Sequence, residues 1–124
     1  MKKILIISKS FYPLNTPRSF RTTELAKEFS LRGYDVEVLI PNKQEIHNDF
    51  EIKHSFKIID LGKINFNSIN SKIKLLNRFL NRFLNLILDY PDIKILTKVL
   101  SFLKKNNNYD VIISIAVPHP IHWA

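Results

Sequence analysis

ILIISKSFYPLNTPRSFRTTELAKEFSLRGYDVEVLI, residues 4 to 40, is the stretch of sequence that decides the fold. Ile4 to Ile7 and Val36 to Ile40 are short apolar runs rich in β-branched residues, which are typical of strands buried on both faces of a parallel sheet. Between them lies a segment with helical spacing of apolar residues, which begins after Thr16 and ends at Gly33. We therefore predict a β-α-β unit whose two strands pair in parallel.

The helix of this unit has sequence signals at both ends. Thr16 is a favoured N-cap residue, and Pro17 suits the first helical position. Gly33 is the residue type expected just after the last turn. Two ion pairs are predicted on the outer face of the helix, Glu24 with Lys27 and Glu28 with Arg32.

The rest of the chain continues the alternation of strands and helices. A third strand is predicted at Phe56 to Leu61, with Glu51 to Lys53 pairing near it, and Val111 to Ile115 is predicted to be another fully buried strand. Two helices are predicted, at Ile69 to Leu88 and at Asp92 to Asn106. The predicted fold class is α/β: one Rossmann-like three-layer sandwich over residues 1 to 124, with a mainly parallel sheet that looks truncated at its C-terminal side.

The composition excludes several classes of enzyme. The chain of 124 residues has no cysteine, so it holds no disulfide scaffold, zinc ribbon or thiol nucleophile. Its two glycines exclude the Rossmann dinucleotide fingerprint and the P-loop, and the sequence has no G-x-S-x-G nucleophile elbow. His119 and His122 lack a third ligand nearby in the sequence, so we predict no metal site and no cofactor held by this chain.

The net charge of +8 is concentrated in the second half of the chain. Residues 63 to 105 contain nine Lys and Arg but only two Asp. Such asymmetry is typical of a surface that meets phosphate-bearing partners, whether anionic lipid, nucleic acid or a phosphorylated substrate. Solvated surface lysines would give the same count, and the composition leaves both interpretations open.

Two loops follow the carboxyl ends of predicted parallel strands, where ligands bind in α/β sheets. The first surrounds a helix N-terminus, which offers amide donors, a positive dipole end and two guanidinium groups to an anion such as a phosphate. The second offers His119 as a candidate general base. The candidate cleft residues are Tyr12, Asn15, Thr16, Arg18 and Arg21 near the first loop, and Pro118 and His119 in the second. Ion pairing of the arginines with Glu24 or Glu28 on a solvated helix face stays open, as does simple loop packing for His119.

Several of these segments resemble a known protein family. The resemblance is carried by Met1 to Ser8, Phe11 to Pro13, Leu25 to Phe29, Arg32 to Leu39, Tyr109 to Ser114 and Val117 to Pro120. These stretches resemble the N-terminal domain of bacterial family 4 glycosyltransferases of GT-B fold, and the resemblance runs from end to end. In the first loop this chain has Asn15, Thr16 and Pro17 where many members have two glycines.

The resemblance implies a role on the acceptor side of a sugar transfer. It implies that this domain binds a saccharide or lipid-linked acceptor, with Arg18 and Arg21 lining the cleft and His119 facing it. It also implies a metal-independent reaction, whose nucleotide-sugar donor is held by a C-terminal donor-binding domain that these 124 residues do not include. On this interpretation the chain alone is inactive.

The helix predicted at Ile69 to Leu88 suggests a membrane contact. Its apolar arc is wider than packing on one sheet face needs, and its narrow polar stripe is basic, which is the pattern of a helix lying in a membrane interface. The candidate membrane-surface residues are Lys74, Arg78, Phe79, Arg82 and Phe83. A helix sandwiched between the sheet and other residues would show the same wide arc, with both phenylalanines in the core, so the two interpretations stay open.

The function expected from the sequence is therefore the acceptor side of a glycosyltransferase that makes polysaccharide or glycolipid. The alternative is a non-catalytic basic module that binds an anionic membrane surface. Nucleic acid is a weaker candidate partner, because the basic residues form no recognised binding motif. The sequence has no run that could span a bilayer and no signal peptide, so we expect a cytoplasmic location, peripheral on the inner face of the plasma membrane if the helix binds lipid.

Overall fold

The computed structural model describes residues 1–64, 74–88 and 93–115. Along the chain these residues form β1 (Lys3–Ile7), α1 (Pro17–Leu31), β2 (Asp35–Ile40), α2 (Ile46–His54), β3 (Lys57–Asp60), α3 (Lys74–Leu88), α4 (Ile93–Lys105) and β4 (Val111–Ser114). The strands predicted from apolar runs lie where the sequence places them, and the ends of α4 agree with the prediction within one residue.

Within the described ranges, four strands form one sheet in the order β3-β2-β1-β4, and every strand pair is parallel. β1 pairs with β2 as predicted, with Ile4 beside Val36 and Ile6 beside Val38. β1 also pairs with β4, so the carboxyl ends of all these strands lie at one edge of the sheet. The predicted α/β class with a Rossmann-like sheet is confirmed, because helices connect the successive parallel strands.

Helices cover both faces of the sheet. The core on the side of α1 and α2 contains Ile4, Ile6, Phe11, Ala26, Val36, Val38, Ile40, Phe56, Ile58 and Ile115. The core on the side of α4 contains Leu5, Ile7, Leu39, Leu61, Ile95 and Val99. Successive strand side chains point to opposite faces, so one continuous apolar run in β1 supplies both cores. The described part of the chain therefore has the three predicted layers.

The N-terminal end of α1 follows its sequence signals. Thr16 is the N-cap, and its Oγ1 accepts a 3.2 Å hydrogen bond from the backbone N–H of Ser19. Pro17 occupies the first turn, where its missing N–H costs no helical hydrogen bond. Both predicted ion pairs are present, Glu24 with Lys27 at 2.7 Å and Glu28 with Arg32 at 2.8 Å.

The C-terminal end of α1 is a Schellman motif. Gly33 has a φ of +80°, a conformation that glycine adopts without the strain a side chain would bring. Its N–H donates to the carbonyl oxygen of Ser30, and the N–H of Tyr34 donates to that of Phe29. The rings of Phe29 and Tyr34 meet edge to face, with centroids 5.8 Å apart. The predicted helix stop at Gly33 is confirmed.

The prediction for residues 51 to 53 is wrong, because Glu51 to Lys53 lie within α2 and not in a strand beside β3. α2 carries few apolar residues, so its sequence shows no clear helical period. Two of these residues, Ile46 and Ile52, are exposed in the structure. The helix is held by Phe50, whose ring contacts those of Phe11, Tyr12 and Phe56. These contacts join distant parts of the chain, and no local pattern shows them.

The prediction that Val111 to Ile115 is fully buried is also wrong. β4 is an edge strand in the described sheet, and Val111 and Ile112 are 41% and 50% exposed. Ile115 is buried, as predicted. An apolar run indicates a strand but does not indicate its place in the sheet, which depends on the order in which distant strands pair.

Candidate functional site

The carboxyl edge of the sheet carries the loops that form the candidate site. Residues 8–16, here called the first loop, connect β1 to α1, and residues 41–45 connect β2 to α2. A cavity of about 200 Å³, the first cavity, lies between these loops, with Phe11 and Pro13 on one side and Ile40 and His47 on the other. Ligands of parallel sheets bind at this edge, beyond the strand ends.

His47 ties the two loops together. Its side chain is buried, and its Nδ1 accepts a 2.8 Å hydrogen bond from the backbone N–H of Gln44. Its Nε2 lies against the carbonyl oxygen of Tyr12, and because a carbonyl can only accept, Nε2 carries the hydrogen. Both ring nitrogens are therefore used inside the protein, so His47 is a structural bridge and not a free base.

A hydroxyl network fixes the start of the first loop against α1. Ser8 is buried, and its Oγ donates to the carbonyl oxygen of Ser10 at 2.8 Å. The Oγ1 of Thr22 lies 3.0 Å from that Oγ and 2.8 Å from the carbonyl oxygen of Arg18. Because these buried hydroxyls are paired, the loop leaves β1 in a defined direction.

A second cavity of about 290 Å³ lies between α1, α2 and the first loop. The ring of Tyr12 stacks on that of Phe50 with centroids 4.5 Å apart, and both side chains line this cavity. α1 contributes Phe20, Thr23, and the paired Glu24 and Lys27. The cavity therefore combines aromatic rings with carboxylate and ammonium groups.

The structure brings together part of the site that the sequence predicted. Tyr12 lines both cavities, and Asn15 lines the second. Thr16 is exposed, with its hydroxyl oxygen engaged as the N-cap of α1. Arg18 and Arg21 are exposed in the first two turns of α1, beside these residues but outside the lining of either cavity.

The two arginines do not pair with the glutamates of their own helix. Glu24 and Glu28 bind Lys27 and Arg32 instead. In residues 1–64, 74–88 and 93–115, Arg18 and Arg21 have no ion-pair partner. In this part of the chain the two arginines therefore do not form the alternative ion pairs with Glu24 or Glu28. Their guanidinium groups lie near the positive end of the α1 dipole.

The second predicted loop falls outside the described residues. Pro118 and His119 belong to it, as does His122. Their place in the cleft stays a prediction from the sequence.

α3 presents an apolar strip and a basic strip to solvent. Phe79 and Phe83 are 72% and 53% exposed and are absent from both cores described above. We define the outer face of α3 as the exposed residues Leu75, Phe79, Phe83 and Leu86 together with Lys74, Arg78 and Arg82. Among the side chains of α3 that the structure describes, the half-buried ones are Asn77, Leu80, Asn81 and Leu84. A helix sandwiched between the sheet and other residues would place both phenylalanines in a core. This placement is not observed.

A charged cluster surrounds the buried residue Glu37 in β2. Its carboxylate accepts a hydrogen bond from the Tyr109 hydroxyl and lies 3.1 Å from Lys3 Nζ and 3.8 Å from Lys57 Nζ. Burial acts to raise the pKa of Glu37, but the hydrogen bonds of Tyr109 and Lys3 and the two positive charges lower it overall. Burial and the neighbouring carboxylate raise the pKa of Tyr109. Both carboxylate oxygens are engaged, so the cluster joins strands and offers no free acid or base.

Three residues that shape the cavities were not predicted: His47, Phe50 and Thr23. His47 and Phe50 are three positions apart and lie on one face of α2, but this spacing indicates a shared face only once the helix is known. Thr23 follows Thr22 directly, and only the packing of α1 on the sheet distinguishes the surroundings of the two hydroxyls.

Within residues 1–64, 74–88 and 93–115, no cluster of three or more His, Asp or Glu side chains is arranged to hold a metal ion. None of the helices in these ranges has the length and apolar content needed to cross a bilayer. Comparisons with family models, curated proteins and solved structures found no match.

Proposed function

We propose that this chain is the acceptor-binding side of a glycosyltransferase, with the nucleotide sugar held by a separate donor-binding domain across a cleft. The position of Arg18 and Arg21 is the main support for this proposal. They are exposed at the start of the helix after β1, and in the described part of the chain neither has an ion-pair partner. A phosphate-bearing acceptor fits two guanidinium groups beside the positive end of a helix.

The fold agrees with this proposal but does not by itself identify the function. An all-parallel sheet with helices on both faces agrees with one half of a GT-B enzyme, which the sequence resembles. Such sheets also serve many unrelated functions, so the proposed acceptor-binding function depends on the residues at the carboxyl edge.

The proposed reaction divides its work between the two sides of the cleft. An acceptor hydroxyl attacks the anomeric carbon of the donor, the bond from that carbon to the diphosphate oxygen breaks, and the hydroxyl proton passes to a base. His119 is the candidate base, from the sequence alone. Arg18 and Arg21 would bind the acceptor's phosphate and hold its hydroxyl in place, and such positioning can supply a large part of the rate.

The binding test compares two arginines of α1 with Arg32, the C-cap residue of the same helix. Arg18→Gln and Arg21→Gln are compared with Arg32→Gln, an exposed arginine that pairs with Glu28. Titration calorimetry measures the Kd of the chain for a short-chain polyprenyl diphosphate saccharide. We expect each of the first two changes to weaken binding about tenfold or more, since a hydrogen bond to a charged group contributes about 1.5–3 kcal/mol. Equal Kd values for all three variants and the unchanged chain would contradict the proposal.

The transfer test separates binding from catalysis. The chain alone should transfer no sugar from a panel of nucleotide sugars, because catalysis needs donor and acceptor aligned across two walls. Joined to a donor-binding domain of a GT-B glycosyltransferase, the protein should become active, and His119→Ala should lower kcat with little change in Tm. Clear transfer by the 124-residue chain alone would contradict the two-wall account.

A second candidate function, docking on an anionic membrane, is favoured by the outer face of α3. Insertion of an apolar side chain such as Phe79 into the headgroup boundary contributes up to about 1.5–3 kcal/mol. Each cation of the adjacent strip contributes about 1 kcal/mol at an anionic surface. The strips run side by side on one helix, as an interfacial helix requires. The two candidate functions are compatible, because a lipid-linked acceptor lies in the membrane.

Co-sedimentation with vesicles tests the docking. The chain should sediment with phosphatidylglycerol vesicles at low salt, stay in solution with phosphatidylcholine vesicles, and be released as salt rises. Arg78→Glu with Arg82→Glu should lower the partition coefficient at least tenfold. Lys104→Glu with Lys105→Glu, the same charge change on α4, is the control and should reduce it far less. Loss of sedimentation to the same extent in both double variants would contradict docking through α3. If the chain binds DNA and only the Arg78→Glu, Arg82→Glu variant loses that binding, nucleic acid is the partner.

A further inference from the structure

The wall of the second cavity is mainly apolar. Tyr12, Leu14, Phe20 and Phe50 are among the residues that line it. The rings of Tyr12 and Phe50 stack with their centroids 4.5 Å apart, so together they offer one broad aromatic surface. A dry apolar cavity of about 150 Å³ is enough to hold benzene. The second cavity, of about 290 Å³, therefore has room for an apolar group of roughly twice that size.

The polar side chains of this wall are engaged or buried. Glu24 and Lys27 pair with each other at 2.7 Å, and Lys27 Nζ also lies over the Phe50 ring, 5.7 Å from its centroid. Ser19 and Thr23 are 1% and 6% exposed, and the Thr23 hydroxyl is closed to solvent. A polar ligand would lose hydrogen bonds to water that these groups do not replace. The cavity therefore favours an apolar ligand.

Two large apolar side chains of the same wall are exposed to solvent. Leu14 and Phe20 are 53% and 57% exposed, although both line the cavity. Apolar side chains exposed together at one place mark interaction sites more often than apolar residues scattered singly. A ligand that enters the cavity would cover both side chains and remove their apolar surface from water.

Arg21 places a free positive charge beside the cavity. It is three positions from Glu24, so the two residues are neighbours on the surface of α1, with Cβ atoms about 5–6 Å apart. Glu24 is neutralised by Lys27, and in residues 1–64, 74–88 and 93–115 Arg21 has no ion-pair partner. An apolar cavity with a free guanidinium group beside it is complementary to a molecule that has an apolar chain and an anionic head.

The first cavity is a poorer match for such a molecule. It is smaller, at about 200 Å³, and Lys9, Asn42 and Gln44 bring ammonium and amide groups to its lining. An apolar chain there would remove these polar groups from water without replacing their hydrogen bonds.

We propose that the second cavity binds the hydrocarbon chain of a lipid phosphate, with the phosphate beside Arg21. The chain lies against the rings of Tyr12 and Phe50 and covers Leu14 and Phe20. This inference rests on the proposed function, because it identifies the acceptor as lipid-linked and assigns this domain the binding of its lipid part.

The test uses geranyl phosphate, a chain of ten carbons with a phosphate head, below its critical micelle concentration. It is titrated into the ¹⁵N-labelled chain, with geraniol and inorganic phosphate as comparison ligands. Geranyl phosphate should shift the amide signals of Leu14, Phe20 and Phe50 in a saturable way. Geraniol should bind more weakly at the same place, and phosphate alone should leave the Phe50 signal unchanged. Leu14→Asp and Phe20→Asp should each weaken the Kd about tenfold or more, because a carboxylate replaces apolar contact and repels the phosphate.

Two matched controls place the same carboxylate elsewhere. Leu31→Asp changes an exposed leucine at the other end of α1, and Phe79→Asp changes the outer face of α3. Both should leave the Kd for geranyl phosphate unchanged, and all four variants should keep Tm nearly unchanged, because the replaced side chains are exposed. The absence of a saturable shift at Phe50, or a loss of binding in Phe79→Asp as large as in Phe20→Asp, would overturn the cavity as the lipid site.

The failure of this inference is distinguishable from failure of the proposed function. Binding of geranyl phosphate that depends on Leu14 and Phe20, without sugar transfer by the protein joined to a donor-binding domain, would support the lipid site and contradict the transferase. Transfer to a lipid-linked acceptor whose kcat/KM is the same in Phe20→Asp as in the unchanged protein would support the transferase and overturn the lipid site.

Discussion

α1 and α3 are both helices of 15 residues, and they relate to the protein in opposite ways. α1 is mostly polar, yet Ser19, Thr22, Thr23 and Ala26 are buried. α3 is mostly apolar, yet none of its described side chains is buried. The apolar content of a helix therefore does not decide whether it belongs to the core.

The comparison shows what does hold a helix to this sheet. α1 has small residues on its inner face, which let its backbone approach the strands closely, and its ends are fixed by Thr16 and Gly33. α3 has large apolar residues that face solvent beside a row of cations. We infer that α1 stabilises the fold and that α3 serves a partner surface.

The largest expected contrast comes from placing a carboxylate on each helix. Ala26→Asp should lower the free energy of unfolding by about 3–5 kcal/mol, because it leaves an unpaired charge in the core. Phe79→Asp should change it by less than about 0.5 kcal/mol, because Phe79 is exposed. Urea unfolding followed by circular dichroism measures both. If Phe79→Asp destabilised the chain as much as Ala26→Asp, α3 would be part of the core.

The next contrast concerns the loops beside α1. His47→Ala should cost about 2 kcal/mol or more, because it leaves the Gln44 N–H and the Tyr12 carbonyl without a partner. His47→Gln offers both an acceptor and a donor and should recover a large part of that loss. Unfolding free energies of the two variants are compared. Equal losses for Ala and Gln would show that packing of the ring, and not its two hydrogen bonds, holds the loops.

A smaller effect is expected at the N-cap of α1. Thr16→Ala should lower the free energy of unfolding by about 1 kcal/mol, because the Ser19 N–H loses its acceptor. Thr97→Ala on exposed α4 surface is the control and should cost less than about 0.5 kcal/mol. Similar costs at both threonines would mean that the cap does little to fix α1.

The smallest effect is a pH dependence from His54, at the end of α2 near α1. Burial, and then the charges of Lys27 and Lys53, lower the pKa of His54 below its ordinary value of 6.5. The unfolded chain therefore binds the proton more readily, so the contribution of His54 is complete above pH 6.5 and is lost as the pH falls below it. Tm should decline more between pH 7 and 5.5 in the unchanged chain than in His54→Gln, as measured by thermal unfolding. Parallel declines would assign the pH dependence to other groups.

The parts of the fold that the sequence predicts are those that local patterns specify. β1, β2 and the two ends of α1 follow from apolar runs, Thr16 and Gly33, because these signals act within a few residues. α2 was missed because its main contact, Phe50 with Tyr12, joins segments far apart in the chain. The edge position of β4 also depends on strand order, which local patterns do not contain.

The candidate site was predictable only in outline. Parallel sheets bind ligands beyond the carboxyl ends of their strands, so the first loop with Tyr12 and Asn15 could be named. The unpaired hydroxyl of Thr23 could not, because Thr22 beside it looks the same in the sequence. The exposure of Phe79 was equally undecidable, since a wide apolar arc fits both a buried and an interfacial helix.

The central inference of this comparison, that α1 is fixed to the sheet whereas the exposed face of α3 meets a partner surface, is tested most directly by a fluorescent label on each helix. The chain has no cysteine, so Phe79→Cys and Leu31→Cys each give one labelling site, and both positions are highly exposed. An environment-sensitive nitrobenzoxadiazole label is followed as phosphatidylglycerol vesicles are added. We predict a blue shift and a rise in intensity at position 79, reversed by salt, and no change at position 31. Equal responses at the two positions, or none at position 79, would contradict the account.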